Sequence, residues 1–223
     1  MNAIANNLNQ LKHKLPNHVK LIAVSKTKPA YDILAAYESG HRVFGENKVQ
    51  ELCDKYHELP QDIEWHFIGH LQRNKVKYLV PFVSLIHGVD SFKLLKEINK
   101  QGRKIDRKIP VLIQFHIAEE STKFGFSKEE FNEMLAHESF EQLNHISIRG
   151  VMGMATNTSD EQKVRSEFKK LNLLFNELKI NHFINQVTFT ERSMGMSNDY
   201  QLAIEEGSTM IRIGSAIFGK RNQ

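Results

Sequence analysis

The sequence predicts an α/β fold, a closed (β/α)8 TIM barrel preceded by one extra helix. Three observations carry this expectation. Short apolar runs alternate with amphipathic segments from end to end, the pattern of repeated βα units feeding a parallel sheet. Several runs are apolar on consecutive residues, as in Val111-Leu112-Ile113, which suits strands covered on both faces. Eight such units fit within the 223 residues of a single domain spanning 1–223, and no Pro/Gly/Ser-rich linker or low-complexity stretch marks a boundary.

The elements follow in order. Ile4, Leu8, Leu11 and Leu15 recur at helical spacing with polar residues between them, giving an amphipathic helix that caps or flanks the barrel. Strands are expected at 21–25, 42–45, 64–69, 84–89, 110–117, 146–154, 186–190 and 210–214. Helices are expected at 31–39, 48–58, 72–78, 92–101, 128–136, 161–178 and 200–206. Trp65 and Phe67 alternate with His66 on one strand and read as core packing. Cys53, the single cysteine, shares a helical face with Val49, Leu52 and Tyr56 and is expected to be a buried structural thiol.

Composition narrows the function classes. The net charge of +4 comes from 30 basic and 26 acidic side chains mixed along the chain, a mild bias towards small anions and no sign of a nucleic-acid arm. One cysteine forms no intramolecular disulfide, and no signal peptide or membrane-length apolar stretch is present, so a cytoplasmic protein is expected. No apolar helix face stands out as exposed, which points to a monomer or weak homodimer. Eleven histidines are present, but no His-Glu-x-x-His or Cys-x-x-Cys accompanies them. His66 and His70 lie on a strand and its exit, where their spacing does not converge them. No metal site is expected. Glu119 and Glu120 read as part of a solvated loop.

In a barrel of this kind, chemistry belongs at the C-terminal ends of the strands. Lys26 follows the first apolar run and is the leading candidate. If the strand persisted, Lys28 would share its side about 6–7 Å away. The two charges would then repel by roughly 2 kcal/mol, lowering a lysine pKa as a Schiff-base nucleophile requires. Near the end of the chain, Ser193 to Asp199 follow the expected seventh strand. Gly195 permits close backbone approach there, and Ser197 to Asp199 are helix-capping types. Gly214-Ser215-Ala216 makes a second glycine-led turn after strand eight. These are the two places where barrels commonly hold a phosphate. Arg212 alternates with apolar neighbours and should face the barrel interior or a ligand; a salt bridge to an interior acid is the alternative role. A lysine opposite a phosphate cradle is where pyridoxal 5'-phosphate (PLP) would be held.

The motifs extend this reading to a family. Ala23-Val24-Ser25-Lys26-Thr27-Lys28-Pro29, Phe44-Gly45-Glu46-Asn47 with Val49-Gln50-Glu51, and Trp65-His66-Phe67-Ile68-Gly69 resemble three signatures of the PLP homeostasis protein family. Ser193-Met194-Gly195-Met196-Ser197 with Asp199, and Gly207-Ser208-Thr209-Met210-Ile211-Arg212-Ile213-Gly214, resemble two more. That family's barrel is similar to the N-terminal domain of alanine racemase.

The resemblance implies Lys26 as the aldimine lysine, Ser197, Gly214 and Ser215 at the phosphate, and Arg212 at the pyridine nitrogen. It places Asn47 and Met196 at the cofactor pocket and Lys123 as a further lysine outside it. It also implies a cofactor-buffering protein, with PLP-dependent apo-enzymes as partners. A weak amino-acid racemase is the alternative. A PLP-independent aldolase ranks below both. Only eleven residues follow Arg212, too few for the second domain that a racemase uses. The chain departs from the family pattern at His70, where proline is usual, and at Met152-Gly153-Met154.

Overall fold

A computed structural model describes residues 2–118 and 124–219. Among these, eight parallel strands close into a barrel in sequence order: β1 (Lys20–Val24), β2 (Val43–Glu46), β3 (Glu64–Phe67), β4 (Leu85–Val89), β5 (Ile109–Gln114), β6 (Ile146–Met152), β7 (Glu191–Met196) and β8 (Met210–Ile213). β8 returns to β1 through pairs from Lys20↔Met210 to Ala23↔Ile213. Closure leaves no sheet edge, and each crossover places a helix on the outside. The helices are α1 (Ala3–Lys14), α2 (Ala30–Glu38), α3 (Val49–Glu58), α4 (Val76–Leu79), α5 (Phe92–Lys104), α6 (Lys128–Ala136), α7 (Glu161–Asn181), α8 (Tyr200–Glu205) and α9 (Ser215–Phe218).

Period-two alternation divides every strand between two cores. Leu21, Ala23, Trp65, Phe67, Val111, Ile113, Val151 and Ile211 point outward into one continuous layer beneath the helices. Ile22, Leu85, Leu112, Met152 and Met210 form a second, smaller cluster inside the barrel. Both faces are apolar because both are covered, which is why the strands read as unbroken apolar runs. The N-terminal helix α1 buries Leu8 and Leu11 and donates from Asn7 Nδ2 to the Ile217 carbonyl (3.1 Å), so it flanks the barrel beside α9.

The structure corrects four sequence expectations. The seventh strand is Glu191–Met196, not 186–190. In the expected segment, Val187 is 83% exposed and the Phe189 amide turns back to the Gln186 carbonyl (2.9 Å). Phe189 stacks between Phe175 and Phe183 (5.0 and 4.3 Å between centroids) instead of joining the sheet. Where only a glycine-led turn is expected after strand eight, Ser215–Phe218 form the short helix α9. Cys53 is half-buried, with its thiol at 3.8 Å from the Tyr78 carbonyl and its pKa pushed up by burial. Finally, α7 leaves Leu173 and Ile180 exposed one heptad apart (61% and 66%), an apolar stripe the pattern did not single out. No described helix is long and apolar enough to cross a membrane.

Candidate cofactor site

A cavity of about 460 Å3 opens at the C-terminal ends of the strands, and Lys26, Asn47, Met196, Ser197, Arg212, Gly214 and Ser215 all line it. The structure thus brings together all seven residues singled out for the cofactor. Lys28 and His70 line it as well, while Lys123, Glu119 and Glu120 lie outside the described residues. A larger cavity of about 690 Å3 sits at the opposite end, near the start of β6 and the residues following α7. It has no barrel-interior cation and no C-terminal strand end, so the chemistry belongs to the smaller one.

Lys26 is presented by a turn, not by an extended strand. β1 ends at Val24, Thr27 adopts φ +65, and the Lys28 amide donates to the Ser25 carbonyl (3.0 Å). The extended alternation expected for Lys26 and Lys28 therefore fails at Thr27, and Lys28 Nζ reaches the Phe218 carbonyl at 2.8 Å. A non-glycine residue with positive φ is strained and persists only where its surroundings hold it. Here the Glu51 carboxylate accepts the Thr27 amide (2.5 Å), and Lys55 Nζ ties Glu51 (2.7 Å) to Glu46 (2.7 Å) and to the Ser25 carbonyl (2.9 Å). The Ser25 hydroxyl also donates to Glu46 (2.6 Å). This clip lies outside the barrel wall, between β1, β2 and α3. Burial pushes the Glu46 carboxyl up, and Lys55 and Ser25 oppose that. Ser25, Glu46 and Glu51 lie within the motifs named above, but nothing in the sequence assigns them or Lys55 this role. Their signal, a Glu four positions before a Lys on one helix, reads equally well as a solvated pair.

At the phosphate end, Gly195 has φ +96, and a Cβ there would meet the Ala203 Cβ at 2.6 Å. Only glycine lets β7 lie this close to α8. The Met196 amide donates to Asp199 Oδ1 (2.6 Å) and its carbonyl accepts the Asp199 amide (3.2 Å), which folds Ser197 and Asn198 into a turn over the cavity. Opposite that turn, the amides of Ser215 and Ala216 open α9 and have no acceptor within the helix. Gly69 lies directly on the Asn47 backbone, with no room for a side chain, so the β3 exit packs against the Asn47 wall of the cavity.

Arg212 is 4% exposed and points into the barrel. The salt bridge to an interior acid is not what the structure shows. Its acceptors among the described residues are all neutral: the Ser193 carbonyl (2.8 Å), the Ser193 hydroxyl (2.5 Å) and the Gly153 carbonyl (3.2 Å). Burial lowers its pKa to about 10, opposed by Asp199, and it stays protonated at neutral pH. A buried guanidinium with neutral partners, together with Lys26, Lys28 and two helix amides without an intrahelical acceptor, makes a site for an anionic ligand. The volume lies within the range of small-molecule pockets.

His66 and His70 do not converge. His66 points inward to His87, and His70 at the rim meets Asp90 (2.8 Å) and stacks on Phe124 (4.3 Å). Among the described residues no group of three His, Cys, Asp or Glu side chains could hold a metal ion.

Comparison with known proteins agrees with this geometry. The family described as alanine racemase, N-terminal domain, matches residues 1–222. A relative from Aquifex aeolicus (strain VF5), called pyridoxal phosphate homeostasis protein, is 41% identical over 206 residues, covering 92% of this chain and 88% of its own. Among solved structures, PipY of Synechococcus elongatus PCC7942, a COG0325 family member, superposes in its PLP-free form with a TM-score of 0.90 at 36% identity. That match covers 97% of this chain and 100% of PipY, and a PLP-bound form of PipY also matches, at a TM-score of 0.86. Alanine racemase from Bartonella henselae shares the fold at 16% identity and a TM-score of 0.72, over 99% of this chain and 61% of that enzyme. By sequence along nearly its whole length and by its barrel, the chain belongs to the pyridoxal phosphate homeostasis protein family, within the wider family of alanine racemase N-terminal domains.

Proposed function

We propose that this protein binds PLP reversibly and serves PLP homeostasis, buffering the cofactor or delivering it to PLP-dependent apo-enzymes. The observation that carries the reading is one cavity shared by Lys26, the buried guanidinium of Arg212 and the amide-lined start of α9. PLP supplies an aldehyde that condenses with a primary amine, a phosphate dianion and a pyridine ring. The Lys26 amine would take the aldehyde, while Ser197, Gly214 and Ser215 would hold the phosphate with the first amides of α9. Arg212 would donate to the pyridine nitrogen, and Asn47 and Met196 would wall the pocket. The relatives' names and the PLP-bound PipY structure support the same cofactor.

The site favours holding PLP over running carbanion chemistry. Strong electron withdrawal needs a protonated pyridine nitrogen, which an acid partner maintains. Arg212 stays charged and donates without giving up its proton. Robust catalysis is therefore not part of the proposal. The relatives carry the name of homeostasis proteins, not of enzymes. A weak racemase is the second reading, favoured only by the shared fold. Residues 1–223 are read as one PLP-binding domain of a cytoplasmic monomer or weak homodimer that uses neither nucleic acid nor membrane.

The test is reconstitution. PLP-treated protein should be yellow, and borohydride should fix the cofactor on the peptide carrying Lys26. Lys26→Ala should lose the fixed adduct. A colourless wild type, or an adduct only on another lysine, defeats the proposal. Amino-acid turnover well above that of free PLP would put the racemase reading first.

A further inference from the structure

Behind Arg212 a line of buried polar groups runs down the inside of the barrel. Ser193 and His87 are 0% exposed, His66 is 2% exposed, and each contributes from an inward position on its strand. The Ser193 hydroxyl lies 2.8 Å from His87 Nδ1, and His87 Nε2 lies 2.9 Å from His66 Nδ1. His66 in turn lines a cavity of about 160 Å3 at the barrel floor, with Lys20, Glu64, Arg149 and Glu191 around it. The interior of a barrel is ordinarily filled by branched apolar side chains. Four polar groups here displace them.

The direction of these bonds follows from what each group can do. Arg212 has only donors, so the Ser193 hydroxyl oxygen accepts from it (2.5 Å). The hydroxyl proton then has His87 Nδ1 as its partner, and that nitrogen must be the acceptor. A neutral imidazole with Nδ1 accepting carries its proton on Nε2, which donates to His66 Nδ1. His66 is then also the Nε2–H form, with that N–H left for the floor cavity. A cationic ring at His87 would bring two donors and leave the Ser193 proton without an acceptor. Burial disfavours that state, holding His87 well below its ordinary range and His66 at about 3.

We infer that Arg212, Ser193, His87 and His66 form a one-directional hydrogen-bond relay in which His87 is a positioning residue. It orients the Ser193 hydroxyl, and Ser193 holds the Arg212 guanidinium at the cavity. What Arg212 meets there rests on the proposed PLP function; the relay's proton order does not.

Two measurements test it. In cofactor-free protein labelled with 15N at histidine, long-range proton–nitrogen correlation should show His66 and His87 as neutral Nε2–H tautomers from pH 6 to 8. A Nδ1–H tautomer or a cationic ring at His87 overturns the relay. In PLP-loaded protein, His87→Leu and Ser193→Ala should each weaken cofactor retention about tenfold, the effect of losing one buried hydrogen-bond partner. Both should also shift the pH midpoint of the visible band. His87→Asn, whose amide oxygen can accept the Ser193 proton, should recover most of the loss. Folded Leu and Asn variants with the same retention and spectrum would overturn the positioning role, and Ser193→Ala decides it if neither His87 variant folds. If wild type takes up no PLP, the functional proposal falls, while the tautomer result still judges the relay.

Discussion

Three histidines buried in neutral form should make this barrel sensitive to mild acid. Burial pushes His66 down to about 3, His41 to about 4 and His87 well below its ordinary value of 6.5. A base whose folded pKa is depressed contributes its full stability above the unfolded value and loses it as pH falls. Below pH 6.5 the unfolded chain takes up protons that the folded chain refuses. Each histidine then costs up to about 1.4 kcal/mol per pH unit, or about 2 kcal/mol between pH 7 and pH 5. The three together remove about 6 kcal/mol over that interval, comparable with the whole stability of an ordinary domain. Glu46 works the other way, because burial raises its carboxyl and the folded protein takes that proton first. Urea titrations at pH 7, 6 and 5 measure the slope directly. His41→Gln is the discriminating variant. It keeps a donor for the Val43 carbonyl that His41 Nε2 now reaches (2.8 Å), and His41 does not line the cofactor cavity. Its stability loss from pH 7 to 5 should be smaller than wild type by about 2 kcal/mol. An unchanged slope would refute the assignment of His41 as a buried neutral ring.

Further outcomes follow from the site and its supports. Lys55→Met should cost about 3–5 kcal/mol by stranding Glu46 in the wall, and adding Glu46→Gln should recover part of it in a double-mutant cycle read by urea unfolding. Gly195→Ala should destabilise by about 1–3 kcal/mol, because alanine is strained at φ +96 and its methyl meets Ala203; a thermal melt indistinguishable from wild type would contradict this. Arg212→Met should leave the cofactor-free protein within about 2 kcal/mol of wild type, since a buried charge held by neutral acceptors adds little. The same substitution should weaken PLP binding at least tenfold in a spectroscopic titration, and unaltered affinity would show that Arg212 does not face the cofactor.

The chain itself determined the architecture and the outline of the site. Consecutive apolar runs reveal strands covered on both sides whatever their neighbours, so eight βα units and the barrel could be read directly. The strand-end rule then pointed to Lys26, Ser197 and the turn at Gly214, and alternation along the eighth strand pointed to Arg212; all of them share the cavity. Tertiary structure decided the rest, because those features depend on pairing. Residues 186–190, with β-branched Val187, Thr188 and Thr190, look more like a strand than Glu191–Met196, yet the aromatic contacts of Phe189 and the register of β7 with β6 and β8 override local propensity. The clip behind Thr27 joins residues from the turn after β1, from β2 and from α3, and the line from Arg212 to His66 joins four strands. No spacing within one segment encodes such contacts. Barrel closure alone brings residues 66, 87, 193 and 212 within hydrogen-bond reach of one another.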